Sequence, residues 1–425
     1  MNMELGLILL LVIAILFFGA QCILQLGLKI DAGYVLGFSI FFDAIGYFYR
    51  QYVPGNTLIV LVGAPLLVVL IAWFQKPAIA RGLLENRGIW LWALFFGYCV
   101  VSYAWASLDS NGLSKELLLI TRGVIPGLYT YIVYKKYGKL SWTVVALFGL
   151  AYSAVHLIFG EYTSEYPGRL TLPGDNPIFN ARISLIAATA ALWGRNIPWP
   201  VRLLTLGTAL ASAFATQSRG PVAAFVAANV LIFGYFMYKK YKSGGLRRLK
   251  RYAGAAAGLI LLGGIAAGIY ADDLEQLVGG SRFTVLFSGS QLQGDDNFLG
   301  RVDLQLRAFE DFQERPFFGS GLGGSTPPVE KEFPHNVILE IASELGIAGL
   351  LLWAVAYLYS LGAVRAYPVL MVLLIQSLGC ALLSGDFGFN YEYMLFAFVS
   401  LAFVKKRERE GAGWIEEGSF SYHRT

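Results

Sequence analysis

A histidine and two carboxylates stand at the start of an apolar segment in the second half of the chain. His335 and Asn336 come first, and Glu340 and Glu344 follow them, one helical turn apart. Residues at this spacing share one face of a helix, and an ionisable side chain at a membrane edge indicates a functional site. A neutral imidazole can take a proton from a hydroxyl group, so we predict that His335 is a general base. Asn336, Glu340 and Glu344 are candidate substrate-binding residues, although the carboxylates could instead orient His335, pair with arginines or act as the base.

Arginines occur where lipid should exclude them. Arg122 and Arg182 lie inside apolar runs, and Arg219 ends one, directly before Gly220 and Pro221, where the next helix should begin. Snorkelling to lipid phosphate is the simplest explanation for such arginines. A helix N-terminus, however, favours an anion, and a guanidinium group can bind two phosphate oxygens at once. We therefore predict that Arg219 binds a lipid-linked phosphate or pyrophosphate, with Arg122 and Arg182 as further candidate binding residues.

The composition indicates that these residues belong to a membrane protein. Of 425 residues, 56% are hydrophobic and 14% are charged, whereas a soluble domain has roughly 25% charged residues. Apolar runs long enough to cross a bilayer recur along the whole chain, and no pattern of short alternating strands is evident. We predict an all-α polytopic membrane protein with roughly 12 or 13 transmembrane helices. The predicted spans are Met3–Leu28, Gly33–Tyr49, Asn56–Phe74, Gly88–Ala106, Lys115–Tyr134, Ser141–Gly160, Asn176–Gly194, Pro198–Thr216, Gly220–Tyr238, Tyr252–Tyr270, Asn336–Ser360, Ala366–Ser384 and Phe387–Val404.

Basic residues indicate which helix ends share a side of the membrane. Four clusters of lysine and arginine fall on the same side when the predicted spans alternate: 76–87, 135–139, 239–251 and 405–407. Positively charged loops face the cytoplasm, so the long loop between the last two groups of spans should lie on the other side. The predicted organisation is a transmembrane bundle in 1–270, the outer loop in 271–335, further transmembrane helices in 336–404 and a cytoplasmic tail in 405–425.

The outer loop contains an amphipathic pattern followed by a glycine-rich turn. Residues Arg301–Arg315 place apolar side chains at helical spacing, and Pro316 should end that helix. We predict that the helix lies on the membrane surface and covers a cavity below it. The turn Gly319–Gly324 could cradle a phosphate group, or it could let the loop fold back on the amphipathic helix. Arg282 and Arg301 would supply positive charges from this loop, with Arg301 directed toward the cavity.

Neither a metal site nor a nucleic-acid site is indicated by the sequence. There is no histidine pair at positions i and i+4 and no acidic triplet on the predicted outer side. The net charge is +5, but the cations stand mostly in short loops between apolar runs. The three cysteines lie in apolar segments, without the paired spacing of a metal site or a disulfide framework. We expect no cofactor, and we expect arginines to neutralise the charge of a leaving group.

The motifs in the second half of the chain resemble those of the O-antigen ligase and O-antigen polymerase superfamily. The resemblance rests on four stretches, in order: Gln217–Gly220, Gly300-Arg301, Glu314–Gly323, and His335-Asn336 followed by Gly346 and Gly349. The last of these is similar to the ligase signature, in which a histidine and a polar residue precede a pair of glycines. The first half of the chain resembles the family only in the number and spacing of its spans.

The resemblance implies a fold and a reaction. The fold would be a multi-helix bundle of the GT-C type, with a periplasmic loop helix over a cavity. The reaction would transfer a whole glycan from undecaprenyl pyrophosphate to a hydroxyl group of lipid A–core, with inversion, in the bacterial inner membrane. His335 would be the base, Arg219 would hold the donor pyrophosphate, and Arg301 or Arg282 would assist from the loop.

Two other functions stay open. Leu350 stands where a threonine commonly follows the glycine pair of the ligase signature, which leaves room for a polymerase whose acceptor is another lipid-linked repeat. The arginines and the glycine breaks would also suit a transporter for anions or lipid-linked sugars. A base at the mouth of the site favours an enzyme, because a carrier has little use for one.

Overall fold

The computed structural model describes residues 29–52, 63, 65–72, 82–107, 111–242, 296–325 and 333–404, with side chains described except at 43–52 and 296–298. Several predicted features lie outside these residues. They are the spans Met3–Leu28 and Tyr252–Tyr270, most of the span Asn56–Phe74, Arg282 and the tail 405–425.

Helices make up about three quarters of the described chain. They are α1 (Ala32–Tyr52), α2 (Arg87–Ser102), α3 (Gly112–Leu119), α4 (Ile125–Tyr137), α5 (Trp142–Phe159), α6 (Pro177–Trp193), α7 (Trp199–Ala215), α8 (Arg219–Lys242), α9 (Asp296–Glu314), α10 (Val337–Ala363), α11 (Pro368–Ala381) and α12 (Tyr391–Leu401). A π-helix, Ile120–Val124, joins α3 to α4, and residues 65–72 are helical too. Two short strands, β1 (Glu161–Tyr162) and β2 (Leu170–Thr171), pair antiparallel between α5 and α6.

Within the described ranges, four helical stretches are long and apolar enough to cross a membrane. They are Gly112–Tyr137, Trp142–Phe159, Arg219–Lys242 and Val337–Ala363. Shorter apolar helices, such as Pro177–Trp193 and Pro368–Ala381, fall on the other predicted spans. The protein is an all-α polytopic membrane protein, as predicted. The total of 12 or 13 spans stays a prediction, made from the apolar runs of the sequence at roughly 20 residues each.

Polar side chains and prolines fix where several helices begin. Asn86 and Asn176 each accept a hydrogen bond from the backbone N–H two residues further on, at 3.0 and 2.8 Å. Such N-caps satisfy donors that have no partner within the helix. Pro177 follows Asn176 at the first position of α6, where the missing N–H of proline removes no helical hydrogen bond.

The helices run back and forth between two ends of one bundle. At the end that carries the basic loops, the Asp31 carboxylate accepts a hydrogen bond from the Ser141 N–H at 2.8 Å. At the same end the Asn86 side chain donates to the Leu401 carbonyl at 3.0 Å. Residues from both predicted groups of spans belong to one core, in which the Trp92 ring packs on Phe398. Between helices in lipid, such close packing is the main stabilising contribution.

Helix α9 belongs to the outer loop, at the opposite end of the bundle. It begins at Asp296, ahead of the predicted start at Arg301, and it ends at Glu314, close to the predicted end. The helix is amphipathic, as predicted, with Leu306 and Phe309 exposed and Ala308 buried. Its placement on the membrane surface stays a prediction.

Candidate active site

A short loop between α11 and α12 holds three of the predicted site residues. We call residues 383–385 the anchor segment. The carbonyl of its first residue accepts a hydrogen bond from Arg301 Nη1 at 3.1 Å, and the carbonyl of its second accepts one from Arg182 Nη2 at 2.7 Å. The N–H of its third residue donates to His335 Nδ1 at 3.2 Å. Residues predicted from three distant parts of the chain therefore meet at one loop.

Arg182 is enclosed by protein. Its side chain is 2% exposed, and its Nη2 also donates to the Cys380 carbonyl at 3.1 Å. The guanidinium group lies 5.1 Å from the centroid of the Phe389 ring and 3.7 Å from the Glu392 carboxylate. Snorkelling to lipid phosphate does not explain this arginine, because its contacts are with protein.

Arg122 lies in the π-helix, close to the same carboxylate. Pro126 accounts for the π-helix, because it lacks the N–H that would bond to the Arg122 carbonyl in an α-helix. Single π-turns of this kind are frequent at functional sites. The Arg122 guanidinium lies 5.7 Å from the centroid of the Tyr391 ring and interacts electrostatically with Glu392. Arg122 and Arg182 therefore share one buried carboxylate.

Arg219 is half-buried at the first position of α8, at the same end of the bundle. The next residue, Gly220, lies against the anchor segment, since a Cβ there would be 3.5 Å from Leu383 Cβ. The positive end of a helix dipole and a guanidinium group therefore lie beside the loop that binds Arg182 and Arg301.

His335 has an unusual backbone conformation, with φ of 52°. Residues other than glycine adopt this left-handed region uncommonly, and such strain is concentrated at functional sites. The ring packs edge-on against Phe333, with the centroids 4.4 Å apart. Because Nδ1 accepts the Gly385 N–H, the neutral ring carries its proton on Nε2. If His335 acts as a base through Nδ1, its hydrogen bond from the Gly385 N–H must be replaced by one from the hydroxyl group of the acceptor.

The surroundings of His335 keep its ring neutral near pH 7. Burial, and then the positive charges of Arg301 and Arg182, lower the pKa of His335 from 6.5 to about 4. A bound anion would offset the charges of the two arginines and raise this pKa again. The base would then come closer to the working pH when a phosphate-bearing donor is present.

The pH dependence of turnover should report this low pKa. The neutral ring is the form that accepts a proton, so kcat/KM should fall as the pH drops through about 4, without an inflection near 6.5. Arg301→Gln removes one positive charge and should move the acid limb to higher pH. Arg307→Gln is the matched control, because Arg307 lies on the same helix, is 61% exposed and pairs with Asp303. An acid limb at the same pH in the wild type and in Arg301→Gln would contradict this prediction.

Asn336 caps α10 beside His335. Its Oδ1 accepts hydrogen bonds from the N–H groups of Ile338 at 3.1 Å and Leu339 at 3.3 Å. An N-cap of this kind fixes the start of a helix, so Asn336 helps to hold His335 at the anchor segment. Its predicted contact with substrate stays a prediction.

The carboxylates of Glu340 and Glu344 converge on Lys115 of α3. The Lys115 Nζ donates to Glu340 Oε1 at 2.5 Å and to Glu344 Oε1 at 2.7 Å. All three side chains are at most 2% exposed. The sequence left open a pairing of these carboxylates with arginines, whereas the partner in the structure is Lys115. A contact of either carboxylate with substrate stays a prediction.

The glycine-rich turn packs against α10, the helix that follows it in the chain. Helix α10 kinks at Gly346, where φ is 64° and ψ is −169°. The N–H groups of residues 347–348 donate to the carbonyls of 316–317, and the carbonyls of 343–344 accept from the N–H groups of 320–321, at 2.8 to 3.2 Å. The loop thus satisfies the backbone groups that the kink removes from the helical pattern.

Glycine is required where the turn meets the kink. A Cβ on Gly346 would lie 2.4 Å from the carbonyl carbon of Phe317, and one on Gly319 would lie 2.3 Å from that of Glu344. The Glu344 Oε2 also accepts the Gly323 N–H at 2.8 Å. The turn and the Lys115 cluster therefore form one assembly that fixes the end of the outer loop against α10.

The ligand that this site suits is an anion. Arginine side chains and a helix N-terminus are groups that bind phosphate. Across the part of the chain that the structure describes, no group of three or more His, Cys, Asp or Glu residues could hold a metal ion. The site can therefore neutralise a phosphate or pyrophosphate group with arginines while a neutral histidine stands beside it.

Sequence reasoning missed Lys115 and the anchor segment. The signal for Lys115 was weak, because this lysine opens the predicted span Lys115–Tyr134, where a side chain that snorkels to the membrane surface is expected. The signal for the anchor segment was a break of polar and glycine residues, 384–386, between two apolar runs. In the sequence such a break is typical of any loop between two helices. Only the structure shows which side chains bond to its backbone.

Residues 204–354, about a third of the chain, match the family model described as O-antigen ligase. The resemblance to the O-antigen ligase and polymerase superfamily is confirmed. Together with the apolar helices, the match supports a multi-pass membrane protein of the O-antigen ligase and polymerase type. A search of curated proteins found no match. The O-antigen ligase match contains Arg219, Arg301 and His335, whereas Arg182 and the anchor segment lie outside it.

Proposed function

We propose that the protein transfers O-antigen glycan as one block from undecaprenyl pyrophosphate to a sugar hydroxyl of lipid A–core. The observation that carries this proposal is the convergence of Arg301, Arg182 and His335 on the anchor segment. Arginines suit a pyrophosphate leaving group, and a neutral histidine beside them suits a hydroxyl group that must lose its proton. Both substrates carry lipid anchors, which fits a site at the end of a transmembrane bundle.

In the proposed reaction His335 takes the proton of the acceptor hydroxyl group. The acceptor oxygen attacks the anomeric carbon of the donor from the face opposite to the pyrophosphate, and the configuration inverts. The bond between that carbon and the phosphate oxygen breaks, and undecaprenyl pyrophosphate leaves with the electron pair. Arg219, Arg301 and Arg182 stabilise the negative charge that develops on the departing oxygen.

The proposed setting is the bacterial inner membrane, with the site facing the periplasm. The site lies at the end of the bundle opposite to the basic residues 135–139 and 239–242. Basic loops face the cytoplasm in such proteins. Lipid-linked donor and lipid-anchored acceptor would then reach the site from the outer leaflet.

A repeat-unit polymerase is the second candidate function. Leu350, in place of the threonine of the ligase signature, favours it. Deleting the gene in its host separates the two reactions. A ligase mutant should accumulate long glycan on the undecaprenyl carrier and show bare lipid A–core. Lipid A–core that bears a single repeat would instead indicate a polymerase.

The direct test uses the purified protein in lipid nanodiscs. Undecaprenyl pyrophosphate-linked glycan and lipid A–core are supplied together, with and without EDTA. We expect the joined product in both conditions. Longer lipid-linked glycan that forms without use of lipid A–core would reject the ligase proposal. Loss of product with EDTA, restored by a divalent ion, would reject neutralisation of the leaving group by arginines alone.

Replacing Arg219 should weaken binding of the donor. Arg219→Lys keeps the charge but loses the pair of parallel hydrogen bonds, so donor affinity and turnover should fall by roughly tenfold, and further in Arg219→Ala. Binding of undecaprenyl pyrophosphate glycan to the protein in nanodiscs measures the effect. Arg202→Lys is the control, because Arg202 bonds to backbone carbonyls at the opposite end of the bundle. Wild-type affinity for the donor in both Arg219 variants would contradict this role. It would indicate that the Arg219 side chain only reaches toward lipid phosphate.

A further inference from the structure

Arg169 is a buried arginine that no motif of the sequence singled out. It precedes β2 in the loop between α5 and α6, and it is 9% exposed. Its Nε donates to the Thr216 carbonyl at 3.0 Å, and its Nη2 donates to Ser218 Oγ at 2.7 Å. Its guanidinium group lies 5.8 Å from the centroid of the Tyr166 ring. Both hydrogen bonds end on the turn that directly precedes Arg219.

The turn between α7 and α8 is strained. Its central residue, Gln217, has φ of 50°, a conformation that persists only where the surroundings enforce it. Ser218 Oγ, which accepts from Arg169, donates in turn to the Pro177 carbonyl at 3.1 Å. The turn is thus tied to the first residue of α6 and, through Arg169, to the loop between α5 and α6. These hydrogen bonds therefore help to fix the direction of α8 and the position of Arg219 at its start.

We propose that Arg169 is a positioning residue for Arg219: it holds the turn so that the Arg219 guanidinium faces the donor pyrophosphate. This inference rests on the proposed function, because it assigns a purpose to the position of Arg219. Arg169 reaches the turn from another part of the chain, 47 residues away from Thr216. It thereby couples the loop between α5 and α6 to the binding of the donor.

The geometry of the contact calls for arginine and not for another cation. The two donors of one planar group reach a carbonyl and a hydroxyl on either side of Gln217. A lysine has one nitrogen at its tip and cannot reproduce this fork. The carbonyl that Arg169 binds also lies at the C-terminal end of α7, where the helix dipole favours a positive charge.

The test compares Arg169→Lys with Arg202→Lys in the full-length protein in nanodiscs. Arg202 is a matched control, because it also binds backbone carbonyls with a fork, at the other end of α7: those of Ala191, Leu192 and Gly194. We expect Arg169→Lys to weaken binding of undecaprenyl pyrophosphate glycan about tenfold, as the loss of a charge-assisted hydrogen bond does. The KM for lipid A–core should not change. Arg202→Lys should leave donor affinity at the wild-type value.

Two further measurements distinguish positioning from general stability. Hydrogen exchange of the amides in 216–220 should be faster in Arg169→Lys and unchanged in Arg202→Lys. In the Arg219→Ala background, Arg169→Lys should have no further effect on donor affinity, because the group it positions is absent. Additive losses in that double variant would overturn the proposal, and so would wild-type donor affinity in Arg169→Lys.

The failure of this proposal is distinguishable from failure of the proposed function. If the wild type shows no preference for the pyrophosphate lipid over undecaprenol, the proposed function fails and the positioning role falls with it. If the wild type and Arg219→Lys behave as proposed while Arg169→Lys binds the donor normally, the positioning role of Arg169 alone is rejected.

Discussion

Alanine at position 335 should lower glycan transfer by about 10²-fold or more, the usual contribution of a general base. The physical reason is that, among the described side chains bonded to the anchor segment, His335 accepts a hydrogen bond whereas Arg182 and Arg301 donate theirs. Folding and membrane insertion should be retained, since the His335 side chain makes one described hydrogen bond. Transfer in nanodiscs, with donor and acceptor in excess, measures the effect.

A second variant separates the chemistry of His335 from its backbone conformation. Alanine disfavours the left-handed conformation of this position, whereas asparagine tolerates it. His335→Asn could also accept the Gly385 N–H through its side-chain oxygen, but it cannot take a proton at working pH. Both variants should therefore be equally inactive. Glycan transfer close to the wild-type rate in His335→Asn would reject the role of His335 as a base. The role of His335 would then be purely structural.

Three pairs of helix boundaries were predicted closely because their signals are local, whereas α2, α8 and α12 each begin or end four residues away from the predicted spans. The described helices α5, α6 and α7 each begin and end within one residue of the predicted spans. Ser141 and Asn176 cap the first two of these, and a polar residue before an apolar run is visible in a sequence. The predicted start of α9 was wrong, because Asp295, Asp296 and Asn297 are all possible N-caps and the prediction used none of them.

The contacts that build the candidate site could not be predicted from one sequence. His335 and Arg219 were found because their types are unusual at the edge of an apolar run. Arg182 and its partner carbonyl in the anchor segment are separated by 202 residues, and Lys115 and Glu340 by 225. Which helices become neighbours depends on the packing of all of them, so no local pattern could identify these pairs.

Lys115→Met should be the most destabilising single substitution in the described part of the site. It would leave the carboxylates of Glu340 and Glu344 buried without the ammonium group that both now bind. Removing one partner from a buried ion pair costs about 3–5 kcal/mol. The glycine turn should loosen as well, because Glu344 Oε2 fixes it through Gly323. Thermal unfolding of the purified protein in detergent, read as a fall in Tm, measures the loss.

Neutralising the carboxylates should restore much of this stability. In Lys115→Met/Glu340→Gln/Glu344→Gln the buried charges are absent, and the amide at 344 can still accept the Gly323 N–H. Lys135→Met is the control for loss of a lysine, because Lys135 is exposed near the end of α4. The order of Tm values should be wild type and Lys135→Met highest, the triple variant next and Lys115→Met lowest. A Tm for Lys115→Met equal to that of Lys135→Met would mean that the three charges do not hold the outer loop against α10. A triple variant no more stable than Lys115→Met would mean that the lysine stabilises the protein by packing, and not by compensating two buried charges.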